Sequence, residues 1–231
     1  MFCYAVNLKE VETLKLLKNH SFTKLLTTLV ILLSILICNV FAANLTYWYA
    51  DADMDIATMV MYQTKSYYSY SNLSNNSETN TRLISEIANA ASGWKSKLGI
   101  SLSANSSNAS SSNGFVIYCG TSSALANAGI SLSSNLSGYT NITDKYAIVD
   151  SLTYSSGTAT ICKFTATIPV YVKTDVGTTA NTIAHEMGHA LGWYGHNLTY
   201  SSMLMNKYSS TVTSPTTRDG NHLKQIYDLY R

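Results

Sequence analysis

The sequence predicts an α+β fold over residues 43–231. Three observations point there. Short runs rich in β-branched and aromatic residues, bounded by Ser, Asn or Gly, recur between residues 45 and 172. A stretch at 81–97 repeats its apolar residues with a helical period. A second helical segment runs from the threonines at 178 and 179 to Gly192 and carries two histidines four residues apart.

The chain has 231 residues, enough for one domain plus accessory segments. Residues 1–24 carry Lys9, Lys15, Lys18 and Lys24, and residues 25–43 are apolar and uncharged. The run ends Val40-Phe41-Ala42-Ala43-Asn44, a small-residue exit. Residues 1–42 therefore read as a secretory signal peptide. An uncleaved membrane anchor is the competing reading, because the apolar run nearly spans a bilayer. Either way residues 43–231 face the outside. From Ala43 onward eleven basic side chains balance eleven acidic ones, which is no footprint for nucleic acid.

Leu45-Thr46-Tyr47-Trp48-Tyr49 is expected to be the first strand. Asp51, Asp53 and Asp55 alternate after it, but Ile56 and Tyr62 stand where a calcium loop needs glycine and glutamate, so a polar turn is preferred. Residues 62–80 read as a Tyr-, Ser- and Asn-rich surface loop. In the 81–97 helix, Leu83, Ile84, Ile87, Ala90, Ala91 and Trp94 share a face, and Gly99 ends it. Ile100-Ser101-Leu102 reads as a short strand, 103–113 as a loop tip, 114–120 as a buried strand and 121–145 as a loop. Residues 146–149, 158–164 and 168–172 read as further strands, with Pro169 suited to a strand start or an edge. Cys119 and Cys162 both fall on predicted strands. In an exported domain they form either one disulfide or two buried free thiols.

The chemistry concentrates in His185-Glu186-Met187-Gly188-His189, with His196 following. His185 and His189, one helical turn apart, can reach one metal ion. Glu186 can act as general base on its open side. Gly192 suits the helix end, where a left-handed residue turns the chain back, and His196 is the candidate third ligand.

This stretch resembles the metzincin zinc peptidases, whose signature is H-E-x-x-H-x-x-G-x-x-H followed by a methionine turn. Here Gly195 occupies the third-histidine position and His196 comes one residue late, which we read as a one-residue bulge at Gly195. Downstream, Ser202-Met203-Leu204-Met205 resembles the matrixin turn, with Met205 the first choice and Met203 the alternative. Residues 215–227 resemble the matrixin C-terminal helix, with Asp219 a structural anchor near the turn and His222 on its solvated side. The resemblance is strong over 175–231 and only general over 45–170.

It implies a twisted mixed β-sheet, a backing helix at 81–97, an active-site helix and a C-terminal helix. It also implies Zn²⁺ on His185, His189 and His196, and peptide hydrolysis by a zinc-activated water that Glu186 deprotonates. Structural Ca²⁺ is left open by Asp144 and Asp150 but has no motif behind it. The expected partner is a protein or peptide substrate, met by a monomer that touches a membrane only through an uncleaved N-terminal segment. Two other readings share the motif: a zinc-stabilised extracellular binding or adhesion module, and a cell-wall peptide hydrolase.

Overall fold

The structure, a computed structural model, describes residues 45–47, 59–61, 67–74, 77–105, 113–154, 157–208 and 211–230. The chain divides into two units, 1–43 and 44–231, and the described residues belong to the second. The export segment and the Asp51, Asp53 and Asp55 turn lie outside the described residues. No helix among the described residues is long and apolar enough to cross a membrane.

The fold is α+β, with two sheets and four helices among the described residues. A five-stranded sheet runs β3 (Ser103–Ala104), β2 (Tyr67–Asn72), β4 (Gly114–Gly120), β8 (Ile168–Lys173), β5 (Gly138–Thr140). Its strands pair in parallel except for β5, an antiparallel edge on β8. A separate three-stranded sheet joins β1 (Met59–Met61), β7 (Gly157–Phe164) and β6 (Tyr146–Tyr154). Here β6 and β7 form an antiparallel hairpin with a bulge between Ile148 and Asp150.

Helix α1 (Ser77–Leu98) packs on α3 (Thr179–Ala190) and on α4 (Thr217–Leu229), while α3 lies against β8 and β5. Leu83, Ile87, Ala90, Ala91 and Trp94 are buried along α1, as their spacing requires. Ile84 falls off that stripe and is 52 % exposed. The Trp94 indole N–H donates to the Ala184 carbonyl at 2.9 Å, fastening α1 to α3. Gly99, with φ of 63°, ends α1 in the left-handed region.

Several expectations are corrected. The 62–80 loop contains strand β2 and the start of α1. Ile100 and Leu102 are buried but lie outside any strand, and the pairing with β2 is made by the next two residues, Ser103 and Ala104. The 121–145 loop holds the short helix α2 (Ser122–Asn127), capped by Thr121, and the edge strand β5. Of the first expected strand only 45–47 are described, and Leu45 makes an isolated bridge to Tyr154. Cys119 and Cys162 are buried free thiols on β4 and β7, in different sheets, so the disulfide is not formed.

Candidate metal centre

Helix α3 presents the histidines and then stops cleanly. Its C-cap is Leu191, and Gly192 follows with φ of 119°. The Trp193 amide donates to the Gly188 carbonyl and the Gly192 amide to the His189 carbonyl, both at 3.0 Å. That pair of bonds is a Schellman motif, which reverses the chain and carries it back toward the helix. Thr178 holds the N-cap position but makes no side-chain cap bond.

The reversal delivers His196. Gly195 has φ of 77°, a left-handed conformation that glycine adopts without strain just before His196. The ligand atoms of His185, His189 and His196 lie within 4.8 Å of one another, placed to hold a metal ion. Their ring centroids form a near-equilateral triangle with sides of 4.9, 5.1 and 5.0 Å. Among the described residues this is the one cluster of histidine, cysteine or carboxylate side chains so arranged.

Backbone carbonyls choose the tautomers. The Nδ1 of His185 lies 2.8 Å from the Leu204 oxygen, and the Nδ1 of His189 lies 2.6 Å from the Trp193 oxygen. A carbonyl can only accept, so each Nδ1 carries the proton and each Nε2 keeps its lone pair for a ligand. The His185 and His196 Nε2 atoms face each other at 3.1 Å. Burial holds the His185 imidazole below its ordinary pKa against the raising effect of its bond to Leu204. Burial, reinforced by the two neighbouring imidazoles, holds His189 well below its ordinary value. Three convergent imidazoles, those of His185 and His189 neutral with free Nε2 lone pairs, are a donor set that a borderline-soft divalent ion such as zinc takes.

Glu186 is buried beside this cluster, and burial pushes its carboxyl up to about 7 despite a hydrogen bond from the Thr140 hydroxyl. A cavity of about 370 Å³ opens here. Glu186, His189 and His196 contribute to its lining, together with Leu136, Tyr139 and Tyr194.

A closed loop lies beneath the histidine helix. Asn197 and Asn206 form a parallel bridge, with the Asn197 amide donating to the Met205 carbonyl at 2.9 Å. Met203, Leu204 and Met205 are all fully buried. Met205 packs directly against Gly188, since a Cβ added there would lie 2.4 Å from its sulfur. Asp219 accepts from the Leu204 and Met205 amides at 3.0 and 3.1 Å, and also from the Thr216 amide and hydroxyl, both at 2.7 Å. The anchor expected at Asp219 thus joins α4 to the loop that holds His185.

Two site expectations change. His222 is not solvated: it is fully buried, its ring 3.8 Å from the indole of Trp193, and burial pushes its pKa down to about 3. The carboxylates left open for calcium do not cluster, and Asp150 instead accepts a hydrogen bond from the Tyr230 phenol. Sequence reasoning missed Thr140, Leu204 and Trp193. The last two act through backbone carbonyls, which leave no side-chain signature, and Thr140 is distant in sequence on a strand that was not expected. No protein-family model matches the chain, and none of the curated proteins compared with it does.

Proposed function

We propose that this chain is a zinc-dependent endopeptidase of metzincin type, exported or displayed on the cell surface through its N-terminal segment. The observation that carries the reading is the convergence of three imidazoles beside a buried carboxylate in the lining of a cavity. His185, His189 and His196 would hold the ion, with Met205 beneath them. When bound, zinc supplies Lewis-acid activation of water and of the scissile carbonyl. Glu186 takes the proton from the attacking water and delivers it to the leaving amine, a role suited to a carboxyl whose pKa lies near neutrality. The edge strand β5, antiparallel to β8 and packed on α3, offers a side unpaired among the described residues, along which an extended peptide can add as a further strand. Leu136, Tyr139 and Tyr194 suit an uncharged substrate side chain in the cavity.

The test is hydrolysis of casein by the zinc-loaded protein beside a folded Glu186→Ala variant. The expected result is cleavage by the parent, abolished by chelator and reduced about 100- to 10,000-fold in the variant. Zinc binding without cleavage of casein or of a broad peptide library would remove general endopeptidase activity. It would leave a zinc-stabilised binding module or a narrow cell-wall peptide hydrolase.

A further inference from the structure

Edge strand β5 reaches the centre of the site through two residues on one face. Gly138 and Thr140 are both buried and alternate with the partly exposed Tyr139. Both abut Glu186. A Cβ on Gly138 would lie 2.7 Å from the Glu186 Cγ and 3.0 Å from its Oε1. The Thr140 hydroxyl lies 2.7 Å from Oε2 of Glu186 and 2.9 Å from its backbone carbonyl oxygen.

A hydroxyl has one proton to donate, so these two acceptors compete for it. Within α3 the Glu186 carbonyl already accepts from the amide four residues on, as helix geometry provides. The contact to Oε2 is also the shorter of the two, 2.7 Å against 2.9 Å. The proton therefore goes to Oε2.

We infer that Thr140 is a positioning residue for the general base. It engages Oε2 and leaves Oε1 to take the proton from the attacking water. The bare backbone at Gly138 provides the space in which the side chain leans against the strand. The strand proposed to receive the peptide is then the same strand that orients the base, so substrate register and base orientation are set by adjacent residues. This inference rests on the peptidase reading above.

The test compares Thr140→Val, which keeps the shape and removes the hydroxyl, with Thr140→Ser, which keeps the hydroxyl. A lost hydrogen bond to a charged group corresponds to about a 10- to 100-fold change in rate. Thr140→Val is expected to lower kcat by that factor, with KM and zinc affinity within about threefold of the parent. Thr140→Ser is expected to recover most of the loss. A second measurement avoids turnover altogether, by thermal unfolding of the metal-free protein. Thr140→Val should lower Tm by several degrees in the parent and by less than half as much in the Glu186→Ala background.

Parental kcat in Thr140→Val, loss without rescue by serine, or equal Tm shifts in both backgrounds would each overturn the inference. A parent that cleaves nothing would instead remove the peptidase reading itself, general base included. That outcome is distinct from a parent that cleaves and a valine variant that cleaves equally well.

Discussion

Asp219 is the most exacting place to perturb this protein. Its carboxylate is fully buried and accepts four hydrogen bonds, three of them from the backbone amides of Leu204, Met205 and Thr216. Asp219→Ala leaves the buried Leu204 and Met205 amides without their acceptor. Each stranded donor costs about 1–3 kcal/mol, so the floor is about 2 kcal/mol. Losing the carboxylate half of the capping box, the partly buried bond from the Thr216 amide, adds about 1 kcal/mol. A destabilisation of about 3–7 kcal/mol is expected, a large part of the total stability of a domain. Because the freed loop carries the carbonyl that orients His185, zinc affinity should also fall about 10- to 100-fold. Urea unfolding of the metal-free protein measures the first quantity, and competition with a colorimetric chelator measures the second. A variant that unfolds within about 1 kcal/mol of the parent would refute the reasoning, since it would mean water satisfies these amides as well as Asp219 does.

Three further outcomes are expected. Gly188→Ala places a methyl 2.4 Å from the Met205 sulfur and 2.6 Å from Cζ2 of Trp94, so it should destabilise by about 1–3 kcal/mol and weaken zinc binding, read by thermal unfolding and chelator competition. At Gly195, whose φ is 77°, valine should weaken zinc binding at least about tenfold while asparagine stays near the parent, because only the latter tolerates the left-handed region. His222, held down to about 3 by burial, stays neutral in the fold while the unfolded chain protonates near pH 6.5, so it subtracts stability as pH falls through the interval between those values. Urea unfolding from pH 5.5 to 4.5 should show a slope about 1.4 kcal/mol per pH unit flatter in His222→Leu than in the parent, and equal slopes would count against a neutral buried imidazole.

Legibility followed the range of the forces involved. Helix α1 could be read from its apolar spacing because a helix declares itself locally, and the error at Ile84 came only from the edge of the stripe. Strand β2 hid in Tyr67–Asn72, where tyrosine, serine and asparagine resemble a loop, and it exists by pairing with both β3 and β4. Strand β5 is three residues beginning with glycine, and nothing local distinguishes it from the surrounding loop until β8 pairs with it. The histidine helix was legible because the ligands, their spacing and the glycines of the reversal lie within twelve residues. Thr140, 46 residues from Glu186, was not legible because its role depends on where a sheet edge passes. His222 was misjudged because Asn221 and Lys224 beside it are polar, while the aromatic surface covering it comes from Trp193.

The Asn197–Asn206 bridge has a kinetic consequence. The loop it closes begins one residue after His196 and contains Leu204, whose carbonyl orients His185. Opening this one latch frees the last imidazole and the restraint on the first together. Ion release should then be all-or-none, governed by the opening rate of a ten-residue loop, with amide exchange at Asn197 and Lys207 keeping time with it.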